Sequence, residues 1–343
     1  MGRETEIDFV ITWVDGSDPA WLREKSVYSG QDSDREAESS VDDRAVRYRD
    51  HGLLRYWFRS VEKFAPWVRK IHFVTWGHLP AWLDVDNPKL HIVRHEDYIP
   101  RDFLPTFNSH TLELNMHRIE GLSEHFVYFN DDVFLLSPAK KTDFFRDGKP
   151  CDMLALQPVV ANPDNPVMSH LFLNNSLVIS KYFNKRENIR KQPGKYFKVG
   201  YPPLYFFYNM LELAFPKFTG FYTIHGAHPF CRQTFSELWE KEGQLLWETS
   251  SHKFRNKSDI SPYLIRDWQK LAGNFHAYNI CKDLVYFELA DDNRKLCRTI
   301  KGQKKKIICI NDSSKDLDFD RIYDEVRTAW DAILPERSSF EKS

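Results

Sequence analysis

Phe129-Asn130-Asp131-Asp132-Val133-Phe134 sets an amide and two carboxylates between apolar residues. Acids at the end of a strand-like run are what a site needs to hold a divalent cation against a diphosphate. Hard cations take oxygen ligands, and a metal there neutralises charge on a leaving phosphate. The same residues also suit a turn with an Asn/Asp cap. Ile310-Asn311-Asp312 repeats the arrangement late in the chain, where Asp312 would give a further metal or ribose contact or cap a second turn. His225-Gly226-Ala227-His228 offers two imidazoles beside a glycine. They suit a general base near neutral pH, a phosphate contact or a buried structural role, and zinc would lack a third soft ligand at a recognisable spacing. Arg255, in His252-Lys253-Phe254-Arg255, could hold a phosphoryl group bidentately or belong to a plain basic loop. Glu113 could steer or deprotonate a hydroxyl, or simply pair with His117 one helical turn on.

The elements that would position these groups alternate in type. Ile7 to Val14 is a β-branched and aromatic run that stops at Asp15-Gly16-Ser17-Asp18-Pro19, a strand followed by a loop. Leu53, Leu54, Trp57, Phe58 and Val61 recur at helical spacing, predicting an amphipathic helix from Asp50 to Phe64 that ends before Pro66. Strands are predicted at Ile71 to Trp76, Lys89 to Arg94 and His125 to Phe129, and a helix at Ser109 to Leu122. This alternation implies an α/β fold with a mostly parallel sheet covered by helices on both faces. Such sheets bind ligands beyond the carboxyl ends of their strands. Beyond Lys140 the pattern is less regular, helical and rich in aromatics, with a helix expected at Phe235 to Trp247, a strand at Ile307 to Ile310 and a terminal helix at Phe319 to Ile333.

The 343 residues suffice for one large α/β domain with insertions or two domains sharing a cleft. Residues 1–140 are expected to form a nucleotide-sugar-binding part, 141–300 an acceptor and catalytic insertion, and 301–343 a closing strand and helix. The polar, acidic stretch from 28 to 44 is predicted to be a mobile loop over the cleft. A formal charge of -1 and a pI near 6.9 give no basic field, so nucleic acid is excluded as a partner. Five cysteines without a close CxxC pair read as reduced thiols. No apolar run is long enough to span a bilayer and no secretory signal is visible, so a cytoplasmic location is expected. The aromatic segment Tyr196 to Phe218 reads first as core and second as a surface lying on a membrane, for peripheral contact at its inner face. Lys301 to Lys306 reads as a solvated turn before a strand.

These residues together resemble the Stealth family, which groups bacterial capsule hexose-1-phosphate transferases with the α/β subunit of the animal lysosomal-enzyme GlcNAc-1-phosphotransferase. Four blocks carry the resemblance, in order. The first is Ile7 to Gly16. The second runs from Arg47-Tyr48-Arg49-Asp50 through Leu54-Arg55-Tyr56, Arg59-Ser60-Val61-Glu62 and His117-Arg118-Ile119-Glu120-Gly121-Leu122 to Asn130-Asp131-Asp132. The third contains His225 through Phe230 and Arg255, and the fourth starts at Cys309-Ile310-Asn311-Asp312.

By motif, the family's catalytic set falls on Glu113, Asp132, His225 and Arg255, with His228 competing for the histidine's place. The resemblance implies a glycosyltransferase-A-like nucleotide fold and a UDP-sugar donor. It places Trp13, Asp15 and Gly16 at base and ribose and Arg47, Arg49, Asp50, Arg55 and Arg59 near the diphosphate. Asn130 and His228 would add donor contacts, and Asp131, Asp132 and Asp312 would hold Mg2+ or Mn2+. The expected reaction moves hexose-1-phosphate to a hydroxyl of a glycan or lipid-linked oligosaccharide with release of UMP, in capsule or exopolysaccharide synthesis. A metal-dependent glycosyltransferase releasing UDP and a non-catalytic carbohydrate-binding protein, whose aromatic rings would stack on sugars, are the alternatives.

Overall fold

The structure is a computed structural model and describes residues 5–29, 41–42, 48, 52–163, 165–313 and 317–342. The predicted loop over 28–44 and the candidate contacts Arg47, Arg49 and Asp50 lie largely or wholly outside them. Its centre is a five-stranded sheet. Ile7–Trp13 lies between Ile71–Thr75 and His125–Phe129, and Leu90–Arg94 extends it on the Ile71 side. All four strands are parallel, whereas the fifth, His228–Cys231, runs antiparallel beside His125–Phe129. The fold is therefore the expected mixed α/β type, with a mostly parallel central sheet flanked by helices.

Both faces of this sheet are covered, which is why its first strand is an almost unbroken apolar run. Alternate side chains feed separate cores. Phe9, Ile11 and Phe129 join Trp57, Phe58 and the C-terminal Trp330 on one face. Val10, Val74 and Tyr128 pack on the other with Leu238 and Trp268. Asp8 is the exception, fully buried within the strand. Arg69 donates to it through two nitrogens, and His72 and the Ser123 N–H also bond it.

Helices form close to their expected places at Leu54–Phe64, Arg232–Ser251 and Phe319–Asp331. The predicted helix from Ser109 to Leu122 is shorter, ending at Leu114 and giving way to a 3-10 turn at Met116–Arg118. Asn115 ends it, because its side-chain amide donates to the Thr111 carbonyl at 2.8 Å and to Ser250 Oγ at 3.1 Å. The expected Glu113–His117 pair is replaced as a result. Glu113 accepts a bond from Tyr128, and His117 packs against Phe235 and Trp239.

A second sheet stands beside the first. Leu284–Glu288 runs parallel to Ile307–Asn311, which pairs antiparallel with Val133–Leu135. The tight turn at Asn130–Val133, closed by the Val133 N–H on the Asn130 carbonyl, passes the chain from one sheet to the other. Strands from early, middle and late parts of the sequence are thereby interleaved. All five cysteines are free thiols. Among the described residues no helix is long and apolar enough to cross a membrane.

Behind the sheet, Arg266 of the Tyr263–Leu271 helix makes a two-pronged bond to Asp152 at 2.5 and 2.6 Å, with both groups buried. Removing one member leaves the other charge desolvated. Asp152→Ala is therefore expected to destabilise the fold by about 3–5 kcal/mol, measured as a lower urea midpoint at unchanged slope.

Candidate active site

The carboxyl ends of His125–Phe129 and of Ile307–Asn311 open on a cleft of about 620 Å³. Glu113, Asp132, His225 and Arg255 all line it, together with Asn130, Asp131, His228 and Asp312. Four separate segments bring them there. The turn after His125–Phe129 carries Asn130 to Asp132. The loop entering the antiparallel strand carries His225, and His228 opens the strand itself, in register with Tyr128. Asp312 follows Ile307–Asn311, whose Ile310 N–H bonds the Asp132 carbonyl at 2.8 Å. Arg255 begins a two-residue strand paired with Val41–Asp42.

His225 Nε2 faces both oxygens of the Asp132 carboxylate, at 3.0 and 3.1 Å, and its Nδ1 lies 3.3 Å from the Tyr263 hydroxyl. Burial opposes a charge on His225, but the charge and hydrogen bond of Asp132 outweigh it and hold the imidazole above its ordinary pKa. Burial, followed by the charges of Arg266 and His225, pushes His228 well below its own, so it stays neutral. Tyr128 donates to Glu113 Oε1 at 2.9 Å, and its phenol is held well above the usual range by burial and by Glu113. Arg255 donates to Ser109 Oγ at 2.6 Å. The cleft thus combines a carboxylate–imidazole pair, a guanidinium and a further buried carboxylate, the groups needed to take a proton and stabilise a phosphoryl group.

Asp132, His225 and Cys309 form a cluster whose ligand atoms lie within 4.8 Å of one another. Its mixed donors do not suit magnesium, which prefers oxygen. Burial, then the Asp132 charge, raises the Cys309 thiol well above its ordinary pKa, so the sulfur keeps its proton and donates to Asp132. A protonated thiol is a poor metal ligand. Asp131, Asp132 and Asp312 all stand at the cleft wall and offer the oxygen donors a hard cation takes, but among the described residues these three do not form a cluster of that closeness, so the expected metal set is not assembled in this structure.

Other expected contacts lie away from this cleft. Trp13 is buried and stacks on Phe73. Asp15 closes a turn by accepting from Ser17, and its N–H donates to His78. Gly16 permits close approach of the chain, since a Cβ there would meet the Tyr48 carbonyl oxygen at 1.9 Å. Arg55 sits over the Trp82 ring. Arg59 is engaged by Glu341 at 2.7 and 2.9 Å and by the Leu334 carbonyl, because the C-terminal segment folds back over its helix.

Models of three conserved regions of Stealth proteins match this chain: region 1 over 5–33, region 2 over 47–152 and region 3 over 224–265. The capsular polysaccharide phosphotransferase WcwK of Streptococcus pneumoniae is 40% identical over 342 residues, 100% of each chain. The chain belongs to the Stealth family. Two other relatives are the receptor polysaccharide phosphotransferase WefC of Streptococcus oralis and the exopolysaccharide phosphotransferase cps2G of Lactiplantibacillus plantarum. WefC is 38% identical, covering 98% of this chain and 99% of that one; cps2G is 36% identical, covering 98% and 96%. Among solved structures, mouse xyloside xylosyltransferase 1 aligns over 89% of this chain and 98% of its own, at 12% identity and a TM-score of 0.36. Stealth region 2 contains Glu113 and Asp132, and region 3 contains His225 and Arg255. The cleft is where these two regions of the Stealth chain meet.

Several residues of this Stealth site carry no local signal in sequence. Tyr128, Tyr263 and Cys309 look like strand or helix core residues. Asp259 is fully buried and accepts from His252 at 2.5 Å and from Asn108 at 2.9 Å, with His110 at 3.5 Å. Since Asn108 caps the helix bearing Glu113, this carboxylate ties that helix to the segment bearing Arg255. Burial raises the Asp259 pKa, but the bonds from His110 and His252 outweigh it and leave the group below its ordinary 3.8. A depressed folded pKa gives stability that is complete above the unfolded value and is lost as pH falls through the folded one. The urea midpoint should therefore decline as pH drops below 3.8. Asp259→Ala should weaken that decline and cost about 1–3 kcal/mol at neutral pH, through the donors it leaves unpaired.

Proposed function

We propose that this Stealth protein transfers a hexose-1-phosphate from a UDP-sugar to a glycan hydroxyl. The observation that carries the proposal is the convergence of Glu113, Asp132, His225 and Arg255 on one cleft at the carboxyl edge of the sheet. The names of the full-length relatives, all polysaccharide phosphotransferases, support the reaction class. In this reading residues 1–140 bind most of the nucleotide-sugar, residues 141–300 complete the acceptor side, and residues 301–343 close the site with Asp312.

The acceptor oxygen attacks the sugar-linked phosphorus in line. A new P–O bond forms, the bond from that phosphorus to the bridging oxygen breaks, and the bridging oxygen leaves with UMP. With Nε2 held by Asp132, His225 takes the hydroxyl proton on Nδ1, where the loose contact with Tyr263 gives way to the acceptor. Asp132 stabilises the resulting imidazolium, as the carboxylate of a catalytic triad does. Arg255 faces the transferred phosphoryl oxygens, and Ser109 fixes its orientation. Glu113, kept in place by Tyr128, positions the acceptor.

Glu113, Asp131, Asp132 and Asp312 would together repel a diphosphate. In this reading a divalent cation, Mg2+ or Mn2+, would take its oxygen donors from among Asp131, Asp132 and Asp312. Bound there, it would supply charge neutralisation for the phosphates.

The nucleotide released separates this reaction from its rivals. Incubated with a panel of UDP-sugars, magnesium and an acceptor oligosaccharide, the protein is expected to release UMP and leave phosphorus in the product. Release of UDP would instead assign attack at the anomeric carbon, and an intact donor would assign a binding protein. Asp132→Asn and His225→Ala should each lower kcat by about 10²–10⁴-fold with the thermal transition preserved. Near-normal turnover in either variant would remove that residue from the mechanism.

A further inference from the structure

The helix Pro203–Glu212 is built inside out. Its polar residues Asn209 and Glu212 are the ones that point into the protein. Asn209 bonds the backbone of Leu154, Leu156 and Tyr196, and Glu212 pairs with the buried Lys185 at 2.5 Å. Its large apolar side chains face outward: Leu204, Phe207 and Leu211 along one line, Phe206 and Met210 along the next, continued by Leu213 just after the helix. Phe207 is 56% exposed, and Val199, just before the helix, is 96% exposed. Single apolar residues are ordinary on a surface, but a whole flank of one helix marks a surface that meets something. The first expectation for this segment, a core strip, is thereby corrected: of its apolar and aromatic residues only Tyr196, Tyr201 and Phe218 are buried, with Phe197 and Tyr205 packed partly against the interior.

Charge identifies the partner. From Lys181 to Lys217 the chain carries eight lysines and arginines against two glutamates, in a protein whose overall formal charge is -1. Of the two glutamates, Glu212 is buried against Lys185, whereas Arg186, Arg190, Lys191 and Lys217 are exposed. An apolar helix flank with exposed cations on the segments just before and after it, joined to it through Lys185 at Glu212 and the Lys217 carbonyl, fits a layer that is apolar inside and anionic at its surface. We propose that Pro203–Glu212 and its basic borders dock this protein on an anionic phospholipid bilayer. The same helix reaches the site, for Tyr205 lies against Tyr222 with ring centroids 4.1 Å apart and Tyr222 lines the cleft. Docking through this face therefore sets the cleft beside the lipid surface, where a lipid-linked acceptor would be found. The membrane contact itself does not depend on the transfer reaction proposed above, and only the nature of the acceptor does.

Flotation of the full chain with unilamellar vesicles tests this directly. The protein is expected to float with phosphatidylglycerol–phosphatidylcholine vesicles and at least about tenfold less with phosphatidylcholine alone, with binding weakened by high salt. The double variant Phe207→Glu/Leu211→Glu should lose about tenfold of this binding while keeping its thermal transition. Equal flotation of the variant, or none by the parent chain, would overturn the proposal. A two-chain species in sedimentation equilibrium that the variant dissolves, without vesicle binding, would also overturn it and assign the face to a second copy. Because the readout is flotation and the folding control is thermal, failure of the transfer reaction would leave this result standing.

Discussion

The antiparallel seam between His125–Phe129 and His228–Cys231 is the constraint on which the site depends. In a sheet that is otherwise parallel, loops entering strands lie at the amino edge, away from where ligands bind. Reversing one strand puts its entry loop at the carboxyl edge. That reversal brings His225 to the turn that follows Phe129, so the imidazole meets Asp132 across paired backbone. The bond from Ile310 N–H to the Asp132 carbonyl holds the same turn from the second sheet. Two backbone ladders thus fix one carboxylate–imidazole pair, at a precision that side-chain packing in a loop would not supply.

Electrostatics then divides the work between the two histidines. His225 and His228 are three residues apart, yet Asp132 raises the first while burial and the Arg266 charge lower the second. Environment, not residue type, sets the two imidazoles apart. The Asp259 bonds serve the same end from behind, because they hold the Glu113 helix and the Arg255 segment to one another without facing the substrate. Groups fixed before the substrate arrives need little reorganisation as charge develops, which is where such sites gain most of their rate.

Sequence reasoning reached the central sheet, and the reasons are physical. The strands of the central sheet are buried on both faces, so they appear as short, dense apolar runs that hardly admit another reading. The acids after Phe129 form the expected turn, and that turn also lines the cleft. What sequence could not supply were partners distant in the chain. Arg59 looked free to meet a diphosphate because nothing near it reveals that Glu341 returns to claim it. The helix after Ser109 looked longer because its apolar spacing continues past Leu114, whereas Asn115 stops it with a bond that propensity does not register. Cys309 gave no sign of chemistry because a lone cysteine in an apolar strand looks like any small core residue.

The outward-facing helix shows where such reasoning has a built-in limit. Apolar periodicity says that one side of a helix must leave water, and it is silent on whether protein or lipid receives it. Here the polar residues fix which side of the helix meets the body of the protein, since Asn209 and Glu212 are spent on bonds to it. An ordinary surface helix attaches by its apolar stripe and offers polar groups to water. This one attaches by hydrogen bonds and an ion pair, and leaves its apolar stripe to the outside. Burying that stripe in the protein would require rotating the helix, which would strand the Lys185 ammonium and the carbonyls of Leu154 and Tyr196 without their partners. Those lost bonds oppose the rotation, so the helix keeps its orientation and its apolar side chains stay on the outside.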